Sequence, residues 1–223
     1  RCSSRHTSAA RVTRSSDTPD AIRPVIPIEQ GIAIQEECLA IASDLGLGHD
    51  QGMALQALGT YHAMLGRYEQ ARAYATTGLA HARALVDPYV IGATCLVLGL
   101  ISLAQEEYTT AQGWLEQSVA AYQEMGQQDA QSWSLSFLGL AALERGDLIQ
   151  AWRCLYQALQ MGIESDAFLP IVIALSGIAL LLVRLDDVGR AVELWALLSR
   201  YPMVSDAPLF QDIVGRYIAA AAA

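Results

Sequence analysis

The sequence predicts an all-α protein, a solenoid of antiparallel helix hairpins, and three observations carry that prediction. A motif recurs every 40 residues, each copy divides into two helical stretches about a short turn, and small residues fall where the two helices must touch. The clearest copy is residues 54–85, ALQALGTYHAMLGRYEQARAYATTGLAHARAL. Its Ala71 recurs as Ala111, Ala151 and Ala191, and its Gly59 as Gly99, Gly139 and Ala179. Tyr68 recurs as Tyr108, Leu148 and Val188, and Leu58 as Leu98, Leu138 and Ile178. A lone hairpin cannot bury its apolar face, so copies stack and supply one another's core.

Taken in order, residues 1–28 are rich in Ser, Thr and Arg without helical periodicity, which predicts a linker or lead-in that buries too little to order itself. A basic arm laid on an acidic surface is the alternative for its five arginines. Residues 29–47 carry the register of a second helix without its first: Gly31, Cys38 and Leu45 stand 40 before Ala71, Gly78 and Leu85. Its stacking face, Ile32, Ile34, Leu39 and Ile41, is expected to be partly bare.

Four repeats follow at 51–86, 90–125, 130–163 and 168–200, the first as helices over about 51–65 and 68–85. In each, the small residues mark close backbone approach; a leucine at Gly59 or Ala71 would overpack by about 1–3 kcal/mol. Loops at 46–50, 86–89, 126–129 and 164–167 hold Asp with Gly, Pro or Ser, residues that turn a chain or cap a helix. Beyond the Tyr201-Pro202 break, residues 207–223 read as one further helix. Its Leu209, Ile213 and Ile218 are expected to lie on the last hairpin as a cap.

These residues resemble the tetratricopeptide repeat: a small residue on the first helix with a leucine before it, the turn glycines Gly66 and Gly146, the aromatics Tyr68 and Tyr108, and the alanine of the second helix. The likeness covers residue 29 to the C-terminus. It differs from the common version in its period, 40 here against about 34, and in lacking a closing proline after Leu85. The longer period is similar to the C-terminal repeats of bacterial signalling ATPases and transcription regulators of the maltose-regulator type, and to those of peptide-pheromone receptors. The resemblance implies a right-handed superhelix whose first helices line a concave groove. By register, the groove stripe is Met53, Gln56 and Thr60, then Ala93, Leu96 and Leu100, then Trp133, Ser136 and Leu140, then Ile173, Ser176 and Leu180. It lacks the basic clamp with which the family's chaperone adaptors hold a peptide carboxylate.

Composition excludes several functions. All 14 basic residues are arginine; the net charge is −9, and residues 29–223 carry 9 arginines against 21 carboxylates. Such a body repels phosphate backbones, so direct nucleic-acid binding is not expected. The runs 89–104 and 168–183 are uncharged but short of the ~20 residues a spanning helix needs, and both fall in register as first helices, which predicts buried solenoid helices and no membrane. No secretory h-region is present in the lead-in.

Cys2, Cys38, Cys95 and Cys154 match neither a zinc site nor a disulfide framework. The last three fall on apolar faces and are expected to be buried thiols, with a reducing, cytoplasmic setting following. His6, His49, His62 and His81 have no ligand partners in register, so surface or half-buried histidines are expected, with no metal and no cofactor. The acid pairs Glu106-Glu107 and Asp186-Asp187 occupy hairpin turns. Phosphate-loop, nucleophile-elbow and zinc-protease motifs are absent.

The expected function is therefore not an enzyme but a protein–protein interaction module. It would be the sensor or scaffold part of a larger bacterial signalling or transcription regulator, with upstream domains of the same polypeptide among its partners and homo-oligomers possible. A free-standing receptor for an apolar peptide or small ligand is the alternative. The stripe residues either line such a groove, with Trp133 as anchor, or pack against neighbouring helices.

Overall fold

A computed structural model describes residues 27–201, 204 and 208–215; the lead-in, Cys2, His6, Pro202 and Ile218 lie outside them. Among the described residues the protein is all-α, with nine long helices and no strand. A leading helix α1 (Ile28–Leu45) precedes four hairpins: α2 (Gly48–Met64) with α3 (Tyr68–Leu85), α4 (Pro88–Ala104) with α5 (Tyr108–Glu124), α6 (Gln128–Glu144) with α7 (Leu148–Glu164), and α8 (Phe168–Arg184) with α9 (Val188–Leu198). Each helix packs on the next in sequence, and α2, α4, α6 and α8 also pack on one another. The first helices thus form an inner layer and the second helices an outer one, a solenoid of hairpins.

The linkers are shorter than the loops expected from sequence, because the helices start earlier; α2 begins at Gly48. Every helix from α1 to α8 ends in the same way. Residues 46, 66, 86, 106, 126, 146, 166 and 186 all have positive φ, one every 20 residues. At each end the next N–H reaches back five residues to a helical carbonyl, as in Arg67 N to His62 O at 2.9 Å and Asp87 N to Ala82 O at 3.0 Å. This closure satisfies carbonyls that the helix leaves orphaned. Gly46, Gly66, Gly126 and Gly146 adopt it without penalty; Val86, Glu106, Asp166 and Asp186 adopt it with a side chain.

Close approach explains the small residues. A Cβ on Gly59 would stand 3.4 Å from the Ala71 carbonyl oxygen, and on Gly99 or Gly139 it would stand 2.6 or 2.7 Å from the side chain of Leu115 or Leu155. In the first hairpin the facing position is Ala75, so there the backbones themselves meet. The uncharged runs within α4 and α8 are largely buried as expected, and no helix of the described residues is long and apolar enough to cross a membrane.

Hydroxyls stitch the middle hairpins. Buried Ser118 of α5 bonds the Gly92 carbonyl at 2.7 Å and the Ser134 hydroxyl at 2.8 Å, and Ser132 donates to Ala158 O at 2.8 Å. One feature of the thiols is corrected: Cys95 and Cys154 are buried, each pushed up to about 11 by burial, but Cys38 is exposed on α1. The helix that would cover it has no counterpart before α1 among the described residues. On the same helix Ile32 is buried while Ile34 and Ile41 are exposed, the partly bare face expected.

Candidate binding groove

The stripe lies on the inner layer because each first helix turns its uncharged face to its counterparts in the neighbouring hairpins. Its residues are not uniformly open. Met53, Gln56, Thr60, Leu96 and Trp133 are half-buried, whereas Ala93, Leu100, Ser136, Leu140, Ile173, Ser176 and Leu180 are buried. Leu100, Leu140, Ile173 and Leu180 share one core cluster, with Leu96 and Trp133 packed against it. Trp133 leans on Phe137, with ring centroids 6.3 Å apart.

The polar members of the stripe turn inward on their own helices. Ser136 donates to Ser132 O at 2.9 Å and Ser176 to Val172 O at 2.8 Å. Gln56 Nε2 donates to Thr60 Oγ1 at 3.0 Å, and that hydroxyl donates back to Gln56 O at 3.1 Å. Serine and threonine in mid-helix satisfy themselves this way. These hydroxyls and the amide thus have their hydrogen-bond partners within their own helices.

What covers the deeper half is the chain itself. Residues 208–215 make one helical turn, Pro208–Phe210, and then a wider π turn, Gln211–Gly215. Leu209, Ile213 and Val214, exposed by 3, 4 and 1 %, join the cluster of Leu100, Leu140 and Leu180. The segment touches α2, α4 and α8. Asp212 accepts a hydrogen bond from the Tyr68 hydroxyl, and Pro208 sits beside the Gly66 turn, where a Cβ on that glycine would be 3.7 Å away. Behind it, Gln211 Nε2 donates to Val204 O at 2.9 Å, and Val204 packs with Val172 and Leu198.

The expectation of a cap confined to the last hairpin is thereby corrected. The segment meets α8 and the Trp195 ring of that hairpin but continues across the inner layer to the first hairpin. Leu209 and Ile213 are nearly fully buried in that position, and burial of apolar area favours it. Sequence reasoning placed these side chains as apolar but missed Tyr68 and Asp212 as an anchor, because 144 positions separate them.

Two histidines lie away from the groove. His49 is hydrogen-bonded to Asp87, which also caps α4 by accepting from Val90 N at 3.1 Å. That bond raises the His49 pKa. Burial alone would raise that of Asp87, but the His49 and Val90 hydrogen bonds pull it below the usual value. His62 is buried rather than half-buried, stacked on Tyr74 at 5.3 Å, and its pKa is lowered by burial and then by Arg67. No cluster of three His, Cys, Asp or Glu able to hold a metal occurs among the described residues.

On the outer layer, α7 departs from its sister helices. Ile149, Trp152, Tyr156 and Ile163 are exposed along one stripe, with Trp152 and Tyr156 stacked at 5.6 Å. The same register positions in α5 are Thr109, Gln112, Glu116 and Gln123.

No protein-family model matches the sequence, and no curated protein does. Among solved structures, the chain is similar to BtubC (BKLC) from P. vanneervenii, at 15% sequence identity and a TM-score of 0.60, covering 88% of this chain and 92% of that one. At that identity the likeness is one of fold, a helical repeat of comparable extent.

Proposed function

We propose that this chain is a non-catalytic protein–protein interaction module, a tetratricopeptide-type solenoid of 40-residue period. In this reading it serves as the cytoplasmic sensor or scaffold part of a larger bacterial signalling or transcription regulator. The observation that carries the reading is the inner face: apolar, free of charged side chains along its stripe, and already seating a short peptide segment in residues 208–215. A surface with those properties takes protein segments rather than phosphate backbones. Buried free thiols at Cys95 and Cys154 fit a reducing compartment. Upstream domains of the same polypeptide are its nearest partners, and an effector acts by binding one arrangement better than another.

The test is to read the gene upstream of the codon for Arg1. An open frame continuing into a phosphate-loop or helix-turn-helix motif supports the regulator arm. A start codon within one repeat's length overturns it and leaves the second reading, a free-standing receptor for an apolar peptide or small ligand. Half-buried Trp133 distinguishes site from packing under either reading. Trp133→Ala as a site residue lowers ligand affinity with the melt unchanged; as a packing residue it costs about 3 kcal/mol of stability.

A further inference from the structure

Residues 208–215 are built as a ligand is built. Leu209, Ile213 and Val214 bury one face at i, i+4 and i+5, and Asp212, at i+3, reaches the Tyr68 hydroxyl. Nothing in the local sequence requires this position, since the segment binds helices far away in the chain. Its second half is a π turn, a winding rare in itself and frequent at functional sites.

We infer that residues 208–215 are an intramolecular ligand of the inner face. The partner the face takes in trans is a short amphipathic segment of the same chemistry: apolar side chains spaced i, i+4 and i+5, with one carboxylate for Tyr68. This rests on the reading of the inner face as the interaction surface. The partner enters by displacing the resident segment. A segment seated about nine-tenths of the time lowers the apparent affinity of a competitor about tenfold. Further acids on the partner weaken binding, because the body is already strongly negative.

The probe is a fluorescein-labelled synthetic peptide of residues 204–215, VSDAPLFQDIVG, titrated against the full chain and against the full chain carrying Leu209→Asp with Ile213→Asp. The expected result is at least tenfold tighter binding to the double variant, and several-fold weaker binding there of a peptide with Asp212→Asn. Equal affinities for the two proteins overturn the inference, as does a folded double variant that takes no peptide. Should the double variant lose its cooperative melt, Tyr68→Phe in the otherwise unaltered chain decides by amide hydrogen exchange. Faster exchange confined to residues 208–215 supports a detachable ligand, whereas unchanged exchange, or acceleration spread through α4 and α6, overturns it. Failure here removes the segment as a ligand and leaves the upstream reading frame to judge the module reading on its own.

Discussion

Val86 is the residue whose replacement should most clearly stabilise this solenoid. It ends α3 with φ 54°, a left-handed conformation that costs a residue with a Cβ about 1–2 kcal/mol and is a genuine outlier for a β-branched one. Val86 is 80% exposed, so removal of its side chain uncovers almost no apolar area. Val86→Gly relieves the backbone strain and returns about 0.5–1 kcal/mol through the greater freedom of glycine in the unfolded chain. The net gain is about 1 kcal/mol, a rise of about 2–4 °C in Tm for a chain of this size. Gly146→Val is the matching control, because it has φ 82° and a Cβ there meets nothing within 4 Å; by the same two terms it should lose about 1 kcal/mol net. Denaturant midpoints at unchanged slope read both. An unaltered or lower midpoint for Val86→Gly, with Gly146→Val also silent, would refute the view that these helix ends carry strain at their side-chain positions.

Other outcomes follow from the same packing. Ser118→Ala breaks two buried hydrogen bonds joining three helices and should cost about 1–3 kcal/mol in a urea titration; no loss would mean that water or a neighbour replaces them. The His49–Asp87 pair stabilises fully below pH 6.5, the ordinary imidazole value, and is lost as pH rises through the raised folded-state value. The advantage of the wild type over His49→Gln should therefore shrink as pH rises above about 6.5. Buried His62 acts oppositely: its folded pKa lies below 6.5, so it destabilises progressively as pH falls below that value, and His62→Gln should flatten the acid limb of the stability profile. Trp152→Ala, on the outer face of α7, should change stability by less than about 1 kcal/mol despite the size of the side chain, since the residue is 50% exposed.

The amino-acid sequence by itself determined the helices and their pairing. Repetition at fixed spacing places Gly59, Gly99 and Gly139 against their second helices, and a chain whose contacts run between sequence neighbours is readable from local pattern. The buried state of α4 and α8 was equally legible, because uncharged runs in register have nowhere else to go. Positive φ at Val86, Glu106, Asp166 and Asp186 was not: side-chain identity there points away from the left-handed region, and the demand for it comes from closing each helix after the same number of residues. Tertiary structure alone decided that Cys38 is exposed and His62 buried, since each outcome depends on whether a neighbouring helix arrives. It also decided what fills the inner face. Leu209 and Ile213 read as apolar in any register, but their seat among Leu100, Leu140 and Leu180 requires the superhelix to bring the first and fourth hairpins within reach of one short segment. Curvature of that kind accumulates from small rotations between repeats, and no single repeat encodes it.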